Sequence, residues 1–115
     1  MLIRSQDKRM IANFDNICTV SAFPEKNSED IYVEDCTGSL MFGRYSTKAK
    51  AMKVLDMIQE AYAEYKITCT LLTGFTGHRA IVESNDVHVS GFEELAKKFK
   101  KNMVFQMPED SEVEV

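Results

Sequence analysis

Cations crowd the start of the one strongly periodic helix in this chain. Lys48, Lys50 and Lys53 occupy its opening turns, Asp56, Glu60 and Glu64 follow, and Arg44 lies just upstream. A helix begins with free N–H groups and partial positive charge, so each exposed early lysine costs about 0.3–1 kcal/mol. One reading is an anion or phosphate site made of the helix N-terminus and its basic neighbours. The plainer alternative is a solvated face that tolerates the penalty. A second cluster is Gly74-Phe75-Thr76-Gly77-His78-Arg79. Its glycines let backbone approach a ligand, Phe75 can stack on a base, and Arg79 can meet a phosphate. Its plainer alternative is a hairpin loop with Phe75 tucked into the core. The pattern is neither a phosphate-binding loop, which needs a Gly-Lys-Ser/Thr ending, nor a dinucleotide fingerprint.

Signs of catalysis are scarcer. No nucleophile elbow, zinc-protease helix motif or framed carboxylate pair occurs, so no catalytic residue is assigned. A thiol–imidazole dyad of Cys69 with His78 or His88 can be drawn, yet nothing local would lower the thiol pKa. Cys18, Cys36 and Cys69 make an odd count without a C-x-x-C, which predicts reduced thiols packing as small hydrophobes. No metal ligand set and no cofactor are expected. The net charge is −4, and Glu109, Asp110, Glu112 and Glu114 crowd the end of the chain, leaving the remainder neutral. Coating of bulk nucleic acid would need a surplus of Lys and Arg. The start meets a charge at Arg4 and no run reaches membrane-span length, which predicts a cytoplasmic protein without a membrane partner.

At 115 residues, one domain is expected over 1–108, with a frayed acidic tail over 109–115. The fold class is α+β: an N-terminal antiparallel β-meander, a long amphipathic helix packed on it, and a mixed strand and short-helix C-terminal part. Residues 1–45 read as strands of one antiparallel sheet. Ile17-Cys18-Thr19-Val20-Ser21-Ala22-Phe23 stops at Pro24, residues 24–30 read as a loop, and Thr37-Gly38 marks a tight hairpin. Ala51, Val54, Leu55, Ile58, Ala61, Tyr62 and Tyr65 recur at helical spacing and predict a helix over 47–65. Residues 67–72 have strand character, 73–79 read as a loop, and 80–82 and 87–89 as short strands around Ser84-Asn85-Asp86. Ser90-Gly91-Phe92-Glu93 reads as a capping box opening a second helix that ends near Asn102. Residues 103–107 read as a strand stopped by Pro108, able to pair with the chain's own sheet or with a partner's.

Three stretches carry a resemblance. Met1-Leu2-Ile3-Arg4-Ser5-Gln6-Asp7-Lys8, Gly43-Arg44-Tyr45-Ser46-Thr47 leading into Val54-Leu55-Asp56-Met57-Ile58-Gln59, and Val104-Phe105-Gln106-Met107-Pro108 resemble a family of small, largely uncharacterised proteins of Gram-positive bacteria and their phages. The resemblance implies a phage or prophage accessory protein and brings no active-site residue. A looser likeness, of size and element order, is to phage anti-defence sponges of the Thoeris-inhibitor type. It implies a homo-oligomer that sequesters a cyclic nucleotide or other phosphate-bearing signal without chemistry. Arg44, Lys48, Phe75, Arg79 and Asn85 are of the types that would hold such a ligand. The alternative expectation is an interaction module that inhibits or tethers a host protein.

Overall fold

The computed structural model describes the backbone of residues 1–82 and 92–115, and their side chains except those of 72–82, 92, 93, 95 and 96. Within it the N-terminal strands divide between two sheets. β1 (Leu2–Arg4) lies between β2 (Ile11–Asn13) and β6 (Val104–Gln106), antiparallel to the first and parallel to the second. β3 (Thr19–Glu25), β4 (Ser28–Asp35) and β5 (Gly38–Tyr45) form an antiparallel meander. The single sheet expected for 1–45 is thus corrected to two, because β1 takes its second partner from the far end of the chain. A 3-10 turn, Phe14–Asn16, leads from one sheet to the other.

The meander is tighter than the sequence suggests. β3 runs through Pro24 and β4 opens at Ser28, so the expected 24–30 loop is a two-residue turn at Lys26 and Asn27. Pro24 is tolerated because β3 is an edge strand. The Thr37-Gly38 hairpin is present. Oδ1 of Asp35 accepts from the Thr37 N–H (2.7 Å), the Thr37 hydroxyl (2.6 Å) and the Gly38 N–H (3.1 Å). Gly38 has φ +150°, a conformation that disfavours any side chain.

α1 (Lys48–Val82) lies against the meander. Its buried Ala51, Val54 and Ile58 meet Ile31 and Val33 of β4 and Phe42 and Tyr45 of β5, while Lys53, Asp56, Glu60 and Glu64 face solvent. Leu55 and Tyr62 are half-buried. The helix does not end at Tyr65. The strand expected over 67–72 is helical, as is the backbone of the expected loop 73–79 and strand 80–82. Thr68 and Thr70 return their hydroxyls to the carbonyls of Glu64 (2.8 Å) and Lys66 (2.9 Å), which reconciles β-branched residues with helix. The turn at Ser84-Asn85-Asp86, the strand 87–89 and the start of the capping box lie outside the described residues. α2 (Phe92–Asn102) follows and packs on α1, with Phe99 stacked on Tyr65 at 6.0 Å.

The acidic tail is not frayed over its first residues. Met107 and Val113 are buried with Ile3 in the same core, and Asp110–Glu112 forms a 3-10 turn. Tyr45 donates its hydroxyl to the Pro108 carbonyl at 2.8 Å, and burial pushes that phenol far above its ordinary pKa. Cys18 and Cys36 are exposed and Cys69 is half-buried, so the thiols are free but not core groups as expected. Among the described residues, no helix is long and apolar enough to cross a membrane.

Ile58→Ala removes a fully packed side chain at the helix–meander contact. It is expected to cost about 2–4 kcal/mol in urea unfolding, against little change for Glu60→Ala. Equal stability of the two variants would contradict this packing.

Candidate functional site

The start of α1 already holds an anion, and it is the chain's own. Ser46 donates its N–H to Oδ1 of Asp110 at 2.7 Å, and its hydroxyl is 3.1 Å from Oδ2. Lys50 places Nζ 2.9 Å from the Asp110 carbonyl and 3.2 Å from Oδ2. Thr47 caps the helix through its hydroxyl oxygen, which accepts from the Lys50 N–H at 3.2 Å. One cation at the helix start, Lys50, is therefore matched by an acid that folds back from the other end of the chain, while Lys48 and Lys53 stay exposed.

The five expected ligand residues are dispersed. Lys48 is exposed in the first turn of α1. Phe75 and Arg79 lie in the helical backbone near its far end, and their side chains fall outside the description, as does Asn85 altogether. A continuous helix from Lys48 to Phe75 rises about 40 Å, so one chain does not bring these two together. Arg44 is elsewhere again, on the outer face of the meander.

Arg44 there has an unusual fixing. Its Nε and Nη2 donate to the two oxygens of Asp30 at 3.1 and 3.0 Å, a side-on fork. The Asp30 side chain is 1% exposed, whereas that of Arg44 is 63% exposed. Ser28 donates its hydroxyl to the same carboxylate at 2.9 Å. The Arg44 hydrogen bonds hold the Asp30 carboxyl below its ordinary pKa, against the opposing effect of burial. Gln6 clamps the backbone of Arg44 as well. Its amide accepts from the Arg44 N–H (2.9 Å) and donates to the Arg44 carbonyl (3.1 Å), the pattern of an added strand. The guanidinium is thus held in one orientation with its outer edge towards solvent.

Two shallow hollows lie on this face, one of them lined by Arg44, and they share Glu25. One, of about 290 Å³, is lined by Arg44 with Glu25, Lys26, Asn27 and Ser28 of the β3–β4 turn. The other, of about 230 Å³, is lined by Phe23, Glu25, Tyr32 and Ser39. Phe23 meets Tyr32 edge to face at 6.1 Å and is 57% exposed, so it offers an aromatic surface to solvent. Tyr32 donates its hydroxyl to Glu25 at 3.2 Å, and desolvation followed by that carboxylate raises the phenol pKa. Aromatic surface, a fixed guanidinium and a lysine on one face can grip a planar group and an attached anion. Sequence reasoning found Arg44 through its charge. It missed Phe23, Lys26 and Asp30, because the tight β3–β4 turn that gathers them reads as a loop.

A further cavity of about 560 Å³ runs along α1. Met57, Ala61, Ile67, Leu71 and Phe105 line it, with Glu60, Glu64 and Lys98 among its polar residues. Lys98 pairs with Glu64 at 3.2 Å.

The Asp110 contact has a pH signature. The Ser46 N–H is the first cause holding its carboxyl below the ordinary 3.8; the Ser46 hydroxyl and Lys50 add to the effect. A carboxyl lowered on folding stabilises fully above its unfolded pKa and loses that contribution as pH falls through the native value. The melting temperature of Asp110→Asn should trail the parent at pH 7, and the gap should close between about pH 4 and pH 2. A gap that persists at pH 2 would remove the contact from the stability of the protein.

Compared with known proteins, the chain matches no family model, no curated protein and no solved structure, so its functional reading rests on its own geometry.

Proposed function

We propose that the protein binds a small nucleotide-type ligand on the outer face of the meander and holds it without transforming it. The observation that carries this reading is Arg44, fixed by the buried Asp30 yet open to solvent near an aromatic pair whose Phe23 ring is exposed. In this reading Phe23 stacks the base, and Arg44 and Lys26 meet the phosphate. Charge-assisted hydrogen bonds of this kind contribute about 1.5–3 kcal/mol, and base stacking on an aromatic ring about 1–3 kcal/mol. The hollows are shallow, so the reading includes a self-associated form in which a second copy covers the ligand. Sequestration also fits the likeness to phage sponges, in which a signalling nucleotide is held intact.

A second reading, a module that engages another protein, is favoured by the cavity along α1. Ile67 and Leu71 stand one helical turn apart on its rim and are both exposed. An amphipathic partner segment is the occupant such a rim fits.

Calorimetry with a panel of mono-, di- and cyclic dinucleotides tests the first reading. Phe23→Ala and Lys26→Ala should each weaken binding about tenfold, and added salt should weaken it further. Glu25→Gln removes a negative charge between the hollows and should tighten binding of the same anion. Recovery of unaltered nucleotide after heating the complex completes the reading. Failure of every nucleotide to bind, or affinity indifferent to all three substitutions, would overturn it.

A further inference from the structure

A second cavity, separate from the Arg44 face, lies where the two sheets meet. It measures about 480 Å³ and opens between β2, the Phe14–Asn16 turn that follows it, and the adjoining ends of β4 and β5. Its apolar wall comes from Met10, Ile17, Val33, Leu40 and Phe42. Two large side chains lining it are left in water: Ile11 is 59% exposed and Leu40 is 54% exposed. Leu40 stands opposite Val33 in the β4–β5 register, so it belongs to the core-facing side of the meander, beyond the stretch that α1 covers. Leu40 is left uncovered, so the core is open at this end.

The polar groups of the cavity are few and unlike one another. Arg9 makes no side-chain hydrogen bond or ion pair among the described residues, and neither does the Asn16 amide. The other two polar side chains are engaged locally. Oδ1 of Asn13 accepts the Asp15 N–H at 3.0 Å, and Oδ1 of Asp35 is taken by the β4–β5 turn. Among the described residues, then, a guanidinium without a direct side-chain partner, its charge felt by the nearby Asp7 carboxylate, and an Asn16 amide without a side-chain hydrogen bond border an aliphatic wall. The single aromatic ring, Phe42, is 2% exposed and presents no open face on which a base could stack.

We infer that this cavity is a binding site for a small amphipathic anion with an aliphatic body, of the medium-chain carboxylate class. The chain covers Ile11 and Leu40 and extends towards Val33 and Phe42; the carboxylate meets the Arg9 guanidinium, with Asn16 as a second donor. Burying apolar surface supplies the affinity; the cavity's other charge, the Asp35 carboxylate, is turned to the β4–β5 turn, so the carboxylate head is directed to Arg9, which selects it over a neutral one. The site is independent of the nucleotide face, because no lining residue is shared between them.

Calorimetric titration with decanoate, and with 1-decanol as the neutral control, tests this. The unmodified protein should bind decanoate saturably, one per chain, and decanol about tenfold more weakly. Arg9→Gln should weaken decanoate about tenfold and leave decanol unchanged. Leu40→Gln and Ile11→Gln, both at exposed positions, should weaken the two ligands alike, with circular dichroism confirming the fold. Phe23→Ala, which the nucleotide reading depends on, should leave decanoate binding intact. Absence of saturable decanoate binding overturns the inference. So does binding that Arg9→Gln, Leu40→Gln and Ile11→Gln all leave untouched.

Discussion

The return of the C-terminal segment to the start of the chain is the constraint on which this architecture depends. β6 supplies the parallel partner of β1, with the Leu2 N–H on the Met103 carbonyl (2.7 Å) and the Met107 N–H on that of Arg4 (3.0 Å). Without it β1 would keep only β2, and an isolated two-stranded ribbon is marginal in water. Beyond Met107 the chain reaches Tyr45 through Pro108 and the first turn of α1 through Asp110. These contacts join β1, the end of β5 and the beginning of α1 around one core containing Ile3, Tyr45, Met107 and Val113. Such closure brings together residues about a hundred positions apart, a separation that slows folding more than it weakens the folded state.

Two features that look unfavourable in isolation account for each other through this closure. Lysines in the first turns of α1 oppose the helix dipole, and acids clustered near the end of the chain repel one another. Folding sets Asp110 against the Ser46 N–H and the Lys50 ammonium, so one charge of each cluster meets its complement. The anion expected at the helix start is thus intramolecular there. Arg44, by contrast, is a cation that is fixed but still open to solvent.

What the sequence made legible follows the range of the interactions concerned. The Thr37-Gly38 hairpin and the buried stripe Ala51, Val54 and Ile58 are set by neighbours within a few residues, and both are present. The length of α1 was misread because β-branched residues at 67–72 mimic a strand; Thr68 and Thr70 satisfy their hydroxyls on the helix's own carbonyls, an option composition does not reveal. The division into two sheets was hidden because the second partner of β1 arrives from Val104–Gln106. Val113 had a readable signal, an apolar residue between acids, but the charge around it pointed to solvent. For the candidate site, Arg44 stood out by charge, while Asp30 was concealed in an apparent loop. A carboxylate becomes a buried partner only once the turn at Lys26 and Asn27 has placed it across from Arg44.

The same meander therefore carries two chemically different surfaces, and its strand alternation is the reason. Successive side chains of a strand face opposite ways. On β4, Asp30 and Tyr32 join the polar and aromatic outer face, while Ile31 and Val33 join the core. The β4–β5 register shifts between Ile31 and Tyr32. Ile31 stands opposite Gly43 and Tyr32 opposite Met41, leaving Phe42 as the extra residue. A bulge lets Phe42 turn inward and seal the core beside Val33 without reversing the strand residues on either side. Arg44 consequently remains opposite Asp30 on the outer face, while Leu40 stays with Val33 at the open end of the core. The fixed guanidinium on one side and the uncovered aliphatic wall on the other are two consequences of one register.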